Sequence, residues 1–245
     1  MDDDVALDVL RDAADELADA AVELDRPVPT YPGWSVADLV VHTGRIHRWV
    51  TEIVGSRATR RLAQPDLGQR PDDLTGWLRS GAARVIDTLA AIDPTTPVWT
   101  FAGEPTTGFW RRRMALETTI HRWDAQLAAG DAAPIADAVA IAGVGEALEI
   151  YVEPRLRGAD VGGDGEVVSL RAAGWAHTWA VRLLRDGITV LGDGPPADVR
   201  VEAAPADLWL FLMGRAGRDV LDVHGPARGV ERLERAVALL PTPAG

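Results

Sequence analysis

Met114-Ala-Leu-Glu-Thr-Thr-Ile-His-Arg-Trp-Asp124 has the periodicity of an amphipathic helix and is the most informative stretch of the sequence. At about 100° per residue, Glu117 and His121 differ by about 40° and Glu117 and Asp124 by about 20°. The three side chains therefore line one edge of the helix, which we expect at the boundary of core and solvent. The apolar face points about 90° away and consists of Leu116, Ile120, Trp123 and Leu127.

Three further helical patterns precede this one, and clear start and stop signals separate them. Ser35 with Asp38 three residues later has the form of a capping box, which marks a helix start. The first predicted helix ends at Pro27, and the second begins at Ser35. The third runs from Pro71 to Asp93-Pro94, and the fourth runs from Thr106-Thr107 to Gly130. Four helices of this length are typical of a bundle.

The second half of the sequence changes from helical to strand-like patterns after a glycine-rich break at 158–165. Helices are predicted over 134–152, from 205, and over 229–240. Short β-like runs cover 167–171, 178–183, 188–191, 199–201 and 220–223, with turn signals such as Arg185-Asp186-Gly187 and Asp193-Gly194-Pro195. We therefore expect a helical domain over 1–153 and a small α+β domain over 154–245.

Charge and hydropathy narrow the classes of partner. The 245 residues include 25 Lys+Arg and 37 Asp+Glu, and the net charge is −12. No basic tail or stripe is present, so nucleic acid and anionic membranes are not expected as partners. The sequence has no apolar run of the roughly 18 residues that a transmembrane helix needs, and its acidic start is unlike a signal peptide. We expect a cytoplasmic protein, a monomer or a homodimer, with small-molecule partners.

Two residue types that often carry chemistry are missing. Cysteine and lysine are both absent from the sequence. This excludes a thiolate zinc site, a cysteine nucleophile and Schiff-base chemistry. An active site in this chain must use histidine, carboxylates, arginine, hydroxyls or a group borrowed from another molecule.

The Glu117 and His121 pair can bind one divalent metal together, because side chains one helical turn apart reach the same point. A solvated pair on a helix surface is the alternative. A metal needs a third protein ligand, and His42 and His47 on the second helix are the candidates. These two lie about 140° apart on the helix, so either one, but not both, can face the fourth helix. Spacing alone does not choose between them.

Two motifs resemble those of the mycothiol-dependent maleylpyruvate isomerase family. They are Tyr31-Pro-Gly-Trp-Ser-Val-Ala-Asp-Leu-Val-Val-His42 and Glu117-Thr-Thr-Ile-His-Arg-Trp-Asp124. The resemblance covers the whole chain and implies a DinB-like four-helix bundle followed by a sterol-carrier-like α+β domain. The segment 199–240, with Ala206-Asp207-Leu208 and Gly214-Arg215, is similar to that second domain.

The resemblance implies a metal site formed by His42, Glu117 and His121, and so it favours His42 over His47. It implies zinc, or another divalent metal, with a fourth position left open for catalysis. The thiol is then mycothiol, a small molecule, which fits a chain without cysteine. The implied activity is attack of the activated thiol on a small electrophile, with either cis/trans isomerisation or thiol S-transfer as the outcome.

Several further residues receive expected roles. The resemblance implies that Asp124 orients a ligand or moves a proton, and that Arg215 contacts a substrate carboxylate. Arg111-Arg112-Arg113 at the start of the fourth helix is expected to be solvated, and His177 and His224 are expected to be structural. The alternative function is a non-catalytic protein that binds a small molecule or lipid and has a vestigial or structural metal site.

Overall fold

A computed structural model describes residues 1–66, 71–192 and 196–240, and the chain divides into two compact units. The first unit covers Met1–Ala133, and the second begins at Pro134. The boundary expected from the sequence lies after residue 153, which would place the helix predicted over 134–152 in the first domain. In the structure this helix belongs to the second unit. That helix packs on the second unit, where Gly143 lies against the Trp209 ring so closely that a Cβ there would be 2.3 Å from a ring carbon.

The first unit is the predicted four-helix bundle, and local capping signals set most of the helix ends. Ser35 and Asp38 form the expected capping box, and Gly130 ends the fourth helix with a φ of +91°, which a glycine adopts without strain. The third helix begins after Asp73, whose carboxylate accepts from the Gly76 N–H, rather than at Pro71. The bounds are α1 Asp3–Ala20, α2 Val36–Gly55, α3 Leu74–Ala91 and α4 Thr107–Ala129.

Contacts between the helices show which helices are parallel and which are antiparallel. Asp3 and Glu16 of α1 pair with Arg112 and Arg122 of α4, so these two helices run in the same direction. Helices α2 and α3 also run in one direction, because Gly44 lies against Trp77 and, further along, Gly55 lies near Thr88. Helices α2 and α4 are antiparallel, and their contact carries the candidate site.

Two apolar clusters fill opposite ends of the bundle. The Trp49 cluster contains, among others, Leu10, Trp49, Val85, Leu89, Trp110 and Met114. The Leu39 cluster contains, among others, Leu17, Leu39, Leu74, Leu78 and Ala125. Between the two clusters, the stretches 42–47 of α2 and 117–124 of α4 carry buried polar side chains, among them Thr43, His47, Glu117, Thr118, His121 and Asp124. We call this band the polar layer.

The second unit is α+β, as predicted. It begins with α5 Asp137–Glu146, which continues through a π-helical stretch, Ala147–Val152, into the short α6 Glu153–Arg155. The other elements are β1 Val167–Ala172, β2 Thr178–Leu184, β3 Gly187–Leu191, β4 Val199–Ala203, α7 Pro205–Leu212, β5 Asp222–His224 and α8 Ala227–Ala238. The turn signal at 193–195 lies outside the described residues.

The five strands form one mixed sheet in the order β3-β2-β1-β4-β5. Strands β1 and β4 are parallel, and the other neighbouring pairs are antiparallel. Helix α8 packs on this sheet through Gly229, which lies close to Val199 and Val168. None of the helices in the described part of the chain combines the length and the apolar character that crossing a membrane requires.

Candidate metal centre

Three side chains of α2 and α4 converge on one point. His42 Nε2 lies 3.3 Å from Glu117 Oε1, and His121 Nε2 lies 3.2 Å from the same oxygen. One ligand atom from each residue falls within 4.8 Å of the other two. The structure therefore brings together His42, Glu117 and His121, two histidines and one carboxylate from adjacent helices.

The local sequence explains how these residues reach the same place. The capping box at Ser35 starts α2 so that His42 follows after about two turns. On α4, Glu117 and His121 are one turn apart and share an edge, as their spacing predicts. This edge is buried rather than at the boundary of core and solvent, since Glu117 is only 8% exposed.

His42 is held between aromatic rings. Its ring centroid is 5.2 Å from that of Trp34 and 5.2 Å from that of His121, which meets it edge-on. Burial, with a smaller contribution from the nearby charges of His121, Arg113 and Arg45, lowers the pKa of His42 from 6.5 to about 3. His42 is therefore neutral at pH 7, and its Nε2 can offer a lone pair to a metal.

Asp124 fixes the orientation of His121 from the other side of the ring. The two oxygens of this fully buried carboxylate are engaged differently: Oδ2 is 3.1 Å from His121 Nδ1, and Oδ1 accepts from the Thr30 hydroxyl at 2.7 Å. A proton on Nδ1 shared with a carboxylate leaves the lone pair on Nε2, which is the nitrogen that faces Glu117. The Tyr31 ring packs near His121, with centroids 5.8 Å apart.

The arginine run at the start of α4 differs from the expectation that it is solvated. Arg111 is 5% exposed and donates to the carbonyls of Leu89 and Ile92 at the end of α3. Arg113 is also 5% exposed and forms an ion pair with Glu117 Oε2, one turn further along the helix. The expectation was wrong for these two residues because other helices pack around the start of α4 and bury its side chains.

His47 is not one of the three converging residues. It is fully buried, and its Nε2 lies 2.8 Å from the Thr118 hydroxyl oxygen. Its Nδ1 has no hydrogen-bond partner among the described residues. Burial, together with the charges of Arg48 and His121, lowers the pKa of His47 to about 3, so it is a neutral core histidine at pH 7.

Arg45, one turn after His42, is a residue that the sequence alone did not single out. Its charge is one cause of the lowered pKa of His42. Its Nε is buried and has no hydrogen-bond partner within the described ranges. A buried N–H of this kind can donate a hydrogen bond to an anionic ligand.

The remaining predicted residues belong to the second unit. Arg215 follows α7, and its guanidinium donates to the Met213 carbonyl at 2.8 Å. Its contact with a substrate stays a prediction. His177 and His224 were expected to be structural, but both are exposed; His177 stacks on Trp179, and His224 pairs with Asp222.

The converging residues have the donor types that a divalent metal needs. Two imidazole nitrogens and one carboxylate oxygen are a common ligand set for zinc and also suit other divalent metals. The hydrogen bond from His121 to Asp124 is the outer contact that metal-ligating histidines usually make. The residues present therefore fit a metal with three protein ligands.

A family model and two solved structures that match the chain all point to the same family. Residues 4–126, half of the chain, match the model of the mycothiol maleylpyruvate isomerase N-terminal domain. A crystal structure of a mycothiol-dependent maleylpyruvate isomerase has a TM-score of 0.66 and 14% identity, with 91% of this chain and 93% of that chain covered. A mutant of that isomerase gives a TM-score of 0.65 at 13% identity, with the same coverage, which shows a shared fold.

A UbiJ-SCP2 ubiquinone synthesis protein was also found, with a TM-score of 0.29 and 21% identity over 42% of this chain and 96% of that chain. No protein of curated function matches the sequence.

Proposed function

The chain belongs to the mycothiol maleylpyruvate isomerase family, and from this membership we propose that it is a metal-dependent enzyme that activates mycothiol. The activated thiol attacks a small electrophile. Cis/trans isomerisation of the kind that names the family is one outcome, and thiol S-transfer is the other. The absence of cysteine supports an external thiol, because the chain has no thiol of its own to offer.

The observation that carries this proposal is the convergence of His42, Glu117 and His121 within the bundle. We propose these three as the metal ligands, with zinc as the metal best suited to two imidazoles and a carboxylate. When bound, such a metal would lower the pKa of a thiol at its open position and hold the thiolate. The two histidines are suited to binding, since His42 is neutral and His121 is oriented by Asp124.

We propose that Asp124 acts on the reaction through His121. By accepting from Nδ1–H, the buried carboxylate keeps Nε2 turned towards Glu117. It also makes the imidazole a stronger electron donor. Thr30 in turn holds the carboxylate in place through its hydroxyl.

The isomerisation is a reversible addition. The thiolate sulfur forms a C–S bond with one carbon of a cis double bond conjugated to a carbonyl, and the π electrons move to the carbonyl oxygen. The former double bond is now single and rotates. The electrons then return, the C–S bond breaks, and the trans isomer and the thiolate are released. In an S-transfer the C–S bond is kept, and a proton is added at the neighbouring carbon.

An electrophile conjugated to a carboxylate would need local cations in a chain whose net charge is −12. Arg45 supports such a substrate, because its buried Nε lacks a partner in the described residues and its charge acts on His42. We propose Arg45 as a contact for the anionic group. The role of Arg215 as a contact for a substrate carboxylate stays a prediction from the family resemblance.

The test combines metal content with thiol-dependent turnover. Protein purified without added metal is analysed for zinc and then assayed with conjugated cis-enones and enoates, with mycothiol or glutathione as the thiol. We expect about one metal per chain and turnover with mycothiol. His121→Ala should lose both, whereas His177→Ala, at an exposed position, should keep both. A wild type that takes up no zinc would contradict the proposal, and lipid binding without turnover would favour a binding protein instead.

A further inference from the structure

The three consecutive arginines at the start of α4 contact three different parts of the bundle. Arg111 donates to the carbonyl groups at the end of α3, and Arg112 donates to Asp3 of α1 at 2.9 Å. Arg113 instead extends along its own helix to Glu117, four residues later. The third guanidinium therefore reaches the candidate metal centre, whereas the first two stabilise the packing of the bundle.

Because of the contact with Arg113, the two oxygens of the Glu117 carboxylate have different partners. Oε1 faces the Nε2 atoms of His42 and His121, at 3.3 Å and 3.2 Å. Oε2 accepts from the Arg113 guanidinium. A carboxylate with one oxygen bound in this way can offer only the other oxygen to a metal, which would leave room for a further ligand.

The same contact sets the charge of the centre. The side chains of Arg113 and Glu117 are both buried, so their charges are weakly screened by water. The guanidinium cancels the charge of the carboxylate, and both histidine ligands are neutral in the metal-bound form. With the Asp124 carboxylate next to His121 also counted, a divalent metal bound here would still leave the centre with a net positive charge, which favours an anion as the additional ligand.

We propose that Arg113 is a positioning residue of the metal centre: it holds Oε2 of Glu117, so that the carboxylate binds metal through Oε1 alone, and it preserves the positive charge that attracts an anionic ligand. This inference rests on the proposed function, because it requires that the three converging residues bind a metal. It assigns a chemical role to a buried ion pair that would otherwise serve only the packing of α4.

The experiment uses cobalt(II) as a spectroscopic probe of the metal-free full-length chain. Wild type, Arg113→Met, Arg113→Lys and Arg112→Met are each titrated with cobalt(II), and the visible absorption is recorded before and after addition of azide. Circular dichroism confirms that each variant is folded. Arg112→Met is the matched control, because it removes the neighbouring charge but leaves Glu117 paired with Arg113.

We expect an intense four-coordinate spectrum for the wild type and Arg112→Met. Arg113→Met should give a weaker spectrum, because Oε2 is released and both carboxylate oxygens can bind. Its azide affinity should fall about tenfold or more, because a nearby positive charge is lost. Arg113→Lys keeps the charge without the planar fork, so it should retain most of the azide affinity. Spectra and azide affinities equal to wild type in both Arg113 variants would overturn the inference, and a wild type that takes up no cobalt would overturn the metal site itself.

Discussion

His47 Nε2 lies 2.8 Å from the hydroxyl oxygen of Thr118, and this contact joins α2 to α4 within the core. It gives the second histidine of α2 a partner that is not a metal ligand. Thr118 is adjacent to Glu117, so the bond also holds the segment of α4 that carries the candidate site. The pair is therefore a structural support next to the three converging residues.

Loss of the Thr118 hydroxyl should destabilise the fold. In Thr118→Val, both nitrogens of His47 would be buried without a partner, which costs about 1–3 kcal/mol. Thr119→Val is the matched control, because that hydroxyl donates to the Ala115 carbonyl of its own helix and to no other group in the described residues. Urea unfolding of the two metal-free variants measures the difference, and equal free energies of unfolding would contradict the role given to this bond.

The stability of the metal-free protein should fall as the pH falls from about 6.5 towards 3. The folded-state pKa of His47 is lowered to about 3, while the unfolded chain binds a proton at about 6.5. Within this window the unfolded state binds more protons, so stability rises with pH by up to about 1.4 kcal/mol per pH unit for this group. His47→Gln should show a correspondingly shallower slope of unfolding free energy between pH 4 and 6.

The assignment to His47 is tested by unfolding wild type and His47→Gln side by side at several pH values between 4 and 6. His177→Gln serves as the control, since it removes a histidine from an exposed position. If the slope of His47→Gln equals that of the wild type, the acid sensitivity arises from other groups.

Replacing Asp124 by asparagine should weaken metal binding without unfolding the bundle. The amide nearly preserves the shape of the side chain, but it removes the negative charge that accepts from His121 Nδ1–H. Such changes next to a ligating histidine typically reduce metal affinity about 10- to 100-fold. Competition with a chromogenic zinc chelator measures this, with the exposed Asp87→Asn as control. An unchanged zinc affinity would show that Asp124 does not act through His121.

Gly44, between the two histidines of α2, should not tolerate a side chain. A Cβ at this position would lie 2.1 Å from an atom of the Trp77 ring, and the Arg48 guanidinium carbon lies over the same ring at 3.8 Å from its centroid. We expect Gly44→Ala to destabilise the protein by about 1–3 kcal/mol through overpacking, despite the higher helix propensity of alanine. Gly55→Ala, where the nearest atom is 3.7 Å away, should cost less. Thermal unfolding compares the two, and a Gly44→Ala as stable as Gly55→Ala would contradict the close packing.

Helical periodicity was sufficient to predict that Glu117, His121 and Asp124 share one edge of α4. The start of α2 was also predictable, because Ser35 and Asp38 act locally. Spacing did not predict how far that edge is buried. Burial depends on the tertiary packing around α4, which covers both its apolar and its polar faces over much of its length.

The same limit explains the residues that sequence reasoning missed. A run of arginines at a helix start is usually solvated, and nothing near Arg113 in the sequence shows that it will be buried. Its spacing of four residues from Glu117 was the available signal, since oppositely charged side chains at that spacing meet on a helix. The choice between His42 and His47 likewise depended on how α2 packs on α4, and their periodicity left it open.

The polar layer between the Trp49 cluster and the Leu39 cluster also fixes the axial register of the bundle. In a purely apolar core, sliding α2 along α4 by one turn, about 5.4 Å, would exchange one hydrophobic contact for another. Here the same shift would part His47 from Thr118 and His42 from Glu117, and it would leave buried polar groups without partners. The side chains proposed to bind the metal therefore also specify a single alignment of the helices, so the apolar ends can vary in sequence without moving the centre.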